Sequence, residues 1–112
     1  MSQITTHVLD TARGLPAKGI HITLGQQVDE QWITLGSGTT NEDGRLPNLC
    51  PEITLPAGTY RMHFETAAYL KIHNGEVFYP YADVTFRIGD DGQHYHIPLL
   101  LSPYGYSTYR GS

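Results

Sequence analysis

Basic residues are scarce in this sequence and lie scattered. Seven Lys and Arg stand against eleven Asp and Glu, a formal charge of -4, and no basic cluster exists to displace counterions from phosphates, which argues against nucleic acid as a general partner. Cysteine occurs once, as Cys50. No internal disulfide can form, so the fold does not depend on an oxidising compartment, and Cys50 reads as a small buried hydrophobe. Long apolar runs are missing as well: none approaches the roughly 20 residues that span a bilayer, which excludes a membrane helix. The N-terminal "MSQITTHVLD" has no basic segment followed by an apolar stretch, so no secretory signal is read and a cytoplasmic location is expected. Internal repeats and low-complexity tracts are also lacking.

What is present is a composition of 39% hydrophobic and 16% charged residues in 112 positions, enough for one core and one domain spanning 1–112. Short runs rich in β-branched and aromatic residues alternate with Gly, Pro, Asn and Asp, the pattern of an antiparallel β-protein. Ile20, Ile22 and Leu24 alternate against His21 and Thr23. Trp32 to Leu35 reads as a further strand, and Tyr60, Met62 and Phe64 share one face of "GTYRMHFET". Val84, Phe86 and Ile88 repeat the alternation, and the turn "GDDG" leads into "QHYHIPLLL". The one helix candidate is "TAAYLKI", stopped by Asn74-Gly75. Seven or eight strands at this spacing predict a sandwich. Pro98 lacks the N–H that a ladder needs, which predicts an edge or a bulge in the last long strand.

Six histidines draw attention, but a lone strand histidine is first a structural or surface residue, and His21, His63 and His73 take that reading. His94 and His96 differ because residues two apart on a strand share a face. With a third histidine they could hold zinc, yet no third ligand stands at a recognisable spacing, so no metal and no cofactor is expected. His7 lies opposite Ile4 and Val8 and points away from their core. Asp43-Gly44 is a turn signal that delivers Arg45 to the next segment. Neutral histidine takes a proton near pH 7, and arginine is a permanent cation suited to an anion. The ending "YRGS" offers aromatic, cationic and hydroxyl groups that suit a site better than solvated filler. The order in which strands pack is not legible from spacing, so nothing in the residues alone brings these groups together.

The segments "THVLDTARGLPAKGI", "TNEDGR" and "HYHIPLLLSPYGYSTYRGS" resemble those of the transthyretin-related 5-hydroxyisourate hydrolases over nearly the whole chain. The tail "YRGS" is the most specific element, since the hormone carrier transthyretin shares "LLSPY" and "YST" but continues differently. The resemblance implies an all-β, eight-stranded antiparallel sandwich with one short helix, assembled as a homotetramer with active sites at subunit interfaces along a central channel. It also implies a small-molecule substrate, with His7, Arg45, His96 and Ser112 catalytic and Arg45, Tyr109, Arg110 and Gly111 binding that substrate. The implied reaction is water attack on a cyclic amide carbonyl of 5-hydroxyisourate, giving 2-oxo-4-hydroxy-4-carboxy-5-ureidoimidazoline. Two other readings stand beside it: a binder of flat aromatic ligands of the thyroid-hormone type, and a scaffold, since sandwiches host many unrelated functions.

Overall fold

Strict alternation organises the first strand. In β1 (Ile4–Asp10) the residues Ile4, Thr6, Val8 and Asp10 are buried while Thr5, His7 and Leu9 are half-buried, as a period of two requires of a strand with one face on a core. The structure, a computed structural model, describes residues 2–111. After β1 come β2 (Leu15–Pro16), β3 (His21–Val28), β4 (Gln31–Thr39) and β5 (Gly58–Glu65). The helix α1 (Ala67–Asn74) is followed by β6 (Ala82–Ile88), β7 (Tyr95–Ser102) and β8 (Gly105–Thr108).

The strands form two four-stranded sheets, ordered β2-β1-β7-β8 and β4-β3-β5-β6. This is the expected eight-stranded sandwich with one short helix. One pairing departs from the antiparallel expectation: β1 and β7 run parallel, with Thr5 opposite His96 and His7 opposite Pro98. The other pairings are antiparallel. Hairpin signals predict only neighbours in sequence, whereas β1 and β7 are joined through the whole of the second sheet. A connection of that length permits either direction.

Between the sheets lies one core. Ile22 and Leu24 of β3 and Tyr60, Met62 and Phe64 of β5 face Ile4 and Val8 of β1 and Ile97, Leu99 and Leu101 of β7, all at 5% exposure or less. Cys50 joins this core as a buried free thiol. The helix caps one end, buries Tyr69 and Leu70, and stops at Gly75, whose φ of 83° is the left-handed geometry that glycine adopts without strain. A buried hydrogen bond ties it to the first sheet, the Tyr69 hydroxyl donating to Asp10 Oδ2 at 2.6 Å.

Pro98 sits in a strand that has neighbours on both sides, yet its missing N–H costs no ladder bond. Its carbonyl accepts from Thr108 Oγ1 at 2.7 Å, so its nitrogen also faces the β8 side. There β8 ends at Thr108, and backbone contact resumes only where Gly111 N–H donates to the His96 carbonyl at 2.7 Å. The proline therefore occupies a local edge, as predicted.

Candidate functional site

The outer face of the β2-β1-β7-β8 sheet is where the polar residues collect. Because one face of each strand is committed to the core, Thr5 and His7 fall on the other face of β1, and His96 and Pro98 on that of β7, with His94 just ahead of it. The parallel register sets Thr5 against His96, and His7 one same-face step further along, about 6.6 Å in strand geometry. Thr5 Oγ1 hydrogen-bonds both His94 Nε2, at 3.0 Å, and His96 Nδ1, at 2.8 Å. A hydroxyl has a single proton and two acceptor lone pairs, so it donates to at most one of the two rings and accepts from the other or from both. The two imidazoles stack at 15° with centroids 6.5 Å apart. With Nδ1 engaged, Nε2 of His96 is left as the nitrogen available to a substrate.

A tight turn adds the cation. Asn41 Oδ1 accepts the N–H groups of Asp43, at 2.9 Å, and Arg45, at 3.1 Å, while Gly44 N–H donates to the Asn41 carbonyl at 2.9 Å. Gly44 has a φ of 72°, and a Cβ there would collide with the Val8 carbonyl. The turn docks on the first strand through Val8 N–H to the Gly44 carbonyl at 2.8 Å. Arg45 thereby forms an isolated antiparallel bridge with His7. Its side chain is exposed, and its guanidinium makes no ion pair or hydrogen bond among the described residues.

The electrostatics follow from that grouping. Burial holds the His96 pKa below the ordinary imidazole value of 6.5, and the nearby charges of Arg45, His94 and His7 lower it further. His96 is therefore a neutral imidazole at pH 7, able to accept a proton. Arg45 retains its charge for an anion. No group of three or more His, Cys, Asp or Glu side chains converges in a metal-holding arrangement among the described residues.

On the other side of His96 the chain's last described residues close in. Gly111 bridges to His96, and a Cβ at Gly111 would stand 2.7 Å from His96 Cδ2, so only glycine lets the backbone pack against that ring. Arg110 turns elsewhere. Its Nη2 donates to Gln93 Oε1 at 2.8 Å and its guanidinium lies 4.4 Å from the centroid of Tyr95. Tyr109 and Arg110 line a crevice between the sheet edges with Val84, Phe86 and Ile97. His7, Arg45, His96 and Gly111 are thus brought together, Tyr109 and Arg110 face the crevice in the single chain, and Ser112 lies outside the described residues. Sequence reasoning missed Thr5. The signal was its place in "ITTHVLD", two residues before His7 and hence on the same face.

An eight-stranded sandwich that sets three histidines and an arginine, unpaired among the described residues, on the open face of one sheet defines a transthyretin-like scaffold bearing a polar small-molecule site. Residues 4–111 match the HIUase/Transthyretin family. The chain is 48% identical over 113 residues to the 5-hydroxyisourate hydrolase of Mus musculus, covering 99% of this chain and 96% of the relative. It superposes on the solved 5-hydroxyisourate hydrolase of Klebsiella pneumoniae with a TM-score of 0.85 at 38% identity over 100% of both chains. Sea bream transthyretin in complex with thyroxine superposes with a TM-score of 0.90 at 33% identity, covering 97% of this chain and 94% of that one. The chain belongs to the HIUase/Transthyretin family.

Proposed function

We propose that this protein hydrolyses 5-hydroxyisourate, opening a cyclic amide by water attack on its carbonyl. The observation that carries the reading is the grouping of His7, Arg45 and His96 on one sheet face, with His96 held neutral. Hydrolysis of an amide ring needs a base for water, positive charge at the developing oxyanion, and a proton for the departing nitrogen. His96 Nε2 is the better base, since its neighbours disfavour the imidazolium before reaction and its Nδ1 is fixed by Thr5. His7 orients the water or returns the proton. Arg45 binds the anionic substrate and stabilises the charge that forms, through a planar fork that lysine lacks. Gly111 forms the floor beside His96, while Tyr109 and Arg110 hold this tail in place. No covalent nucleophile is required.

The relative in complex with thyroxine favours a second reading, a binder of flat aromatic ligands. Polarity weighs against it, because three histidines and an arginine occupy the face that an apolar hormone would have to cover. We further propose four copies assembled with the sites at their interfaces. The exposed Phe78, Tyr104, Tyr106 and Tyr109 supply apolar surface for such contacts. A cytoplasmic location completes the reading, and among the described residues no helix is long and apolar enough to cross a membrane.

The deciding experiment generates 5-hydroxyisourate in place from urate with a urate oxidase and follows its ultraviolet absorbance with and without this protein. Decay faster than the spontaneous rate at catalytic protein concentration supports hydrolysis. Unchanged decay together with saturable thyroxine binding supports the carrier reading instead.

A further inference from the structure

His94 has no role in the reaction proposed above, yet it is tied to the ring that does. It is exposed and stands just ahead of β7, two residues before His96. Thr5 Oγ1 joins the two, 3.0 Å from His94 Nε2 and 2.8 Å from His96 Nδ1, and these rings are the hydroxyl's hydrogen-bond partners among the described residues.

The single proton of Thr5 couples the tautomers of the two rings. If His96 is to take a proton from water at Nε2, that nitrogen is bare before reaction, and the hydrogen of the neutral ring sits on Nδ1. An Nδ1–H donates, so Thr5 Oγ1 accepts it. The hydroxyl hydrogen then needs an acceptor of its own, and the group in reach is His94 Nε2. That nitrogen accepts only when bare, with the hydrogen of His94 on its Nδ1. The reverse order, from His94 Nε2–H to Thr5 and from Thr5 to His96 Nδ1, would put the hydrogen of His96 on Nε2 and leave it no base. Were both rings to donate to Thr5, the hydroxyl hydrogen would have no acceptor among the described residues.

We infer that His94 is a positioning residue of the hydrolytic site: its bare Nε2 accepts the Thr5 proton, and the relay from His96 Nδ1–H through Thr5 to His94 holds His96 in the tautomer that presents a bare Nε2 to the water. The inference rests on the hydrolase reading with His96 as base. The same relay serves the reaction as it proceeds. When His96 Nε2 takes a proton, its Nδ1–H already points at an acceptor that is itself polarised by the next hydrogen bond, so the imidazolium forms without any bond reversing direction. A base oriented by a further group is the general logic of such constellations, and here the orientation is delivered through a hydroxyl.

NMR of the imidazole nitrogens reads the relay directly. At about pH 8, above the ordinary imidazole range, His94 and His96 of the wild type are both expected as Nδ1–H rings, and a neutral His94 with its hydrogen on Nε2 overturns the inference. His94→Phe keeps a flat ring beside His96 and removes the acceptor. Its kcat for 5-hydroxyisourate is expected to fall about three- to tenfold, the worth of one net hydrogen bond, with His96 shifted toward the Nε2–H form. KM should stay within about twofold, because His94 does not touch the substrate, and the melting midpoint should be retained. His94→Gln offers Thr5 an amide oxygen and should recover most of the loss, which a packing role for the ring would not permit. A wild-type protein that fails to hasten decay removes the hydrolase reading and this inference with it. An active wild type with His94→Phe at unchanged kcat overturns the inference alone. Should His94→Phe melt early, the tautomers of the wild-type rings decide.

Discussion

Thr5 Oγ1 lies 2.8 Å from His96 Nδ1, across a parallel register that joins the two ends of the chain. That contact fixes the plane of the imidazole and so the direction of Nε2. Replacing Thr5 by Val keeps the branched shape and removes the bond. Turnover of 5-hydroxyisourate is expected to fall about tenfold, the worth of one positioning hydrogen bond. Thr5→Ser should restore most of it, which a purely steric role would not permit.

Arg45 also acts on His96 through charge. Its proximity lowers the His96 pKa, behind burial as the larger cause. A base works when unprotonated, so the acid limb of kcat/KM in the wild type falls below pH 6.5, the ordinary imidazole value. In Arg45→Met the depressing charge is gone, and the limb moves upward toward that value. Arg45→Lys keeps a charge and should leave the limb nearly in place, while turnover still drops for want of the planar fork. A pH series on the three proteins checks both statements.

Gly111 touches the same ring from the other side. Alanine there would place a Cβ 2.7 Å from His96 Cδ2, closer than real contacts allow, so the ring or the tail must shift. Because misplacement of a reacting group by about 1 Å can cost on the order of 10² in rate, Gly111→Ala should lose activity by more than tenfold. Its melting midpoint should stay near that of the wild type, since the position lies outside the core.

Far from the site, the Tyr69 hydroxyl donates to the buried carboxylate of Asp10 at 2.6 Å, and Asp10 Oδ1 also accepts the Arg13 N–H at 3.0 Å. Tyr69→Phe leaves that carboxylate with a weaker set of donors. A loss of about 1.5–3 kcal/mol is expected, typical of hydrogen bonds to charged groups. Urea denaturation measures it, and activity per folded molecule should be unchanged.

The sandwich itself was largely legible because its signal is local. Ile20, Ile22 and Leu24, and Tyr60, Met62 and Phe64, alternate as core strands must, and each is buried. The helix announced its end through Asn74-Gly75. The parallel pairing of the first and seventh strands was not legible, since no turn joins them and register between distant strands depends on the packing of both sheets. Thr5 escaped notice for the same reason: its importance comes from what stands opposite, which is His96. His7, Arg45 and His96 could be named from the resemblance, but their meeting required the docked turn at Asn41 to Arg45. Nothing in the tail's composition foretold that Arg110 would face Gln93 and Tyr95 while Gly111 met the imidazole.

The most direct measurement compares His96→Asn with the wild type for 5-hydroxyisourate turnover, alongside their melting curves. Asparagine can keep a hydrogen bond to Thr5 but cannot take a proton at pH 7. A fall of roughly 10² to 10⁴ with an unchanged melting midpoint is the result predicted for a general base on an outward face. Turnover within about twofold of the wild type would contradict the account, because the neutral histidine would then have no part in the chemistry.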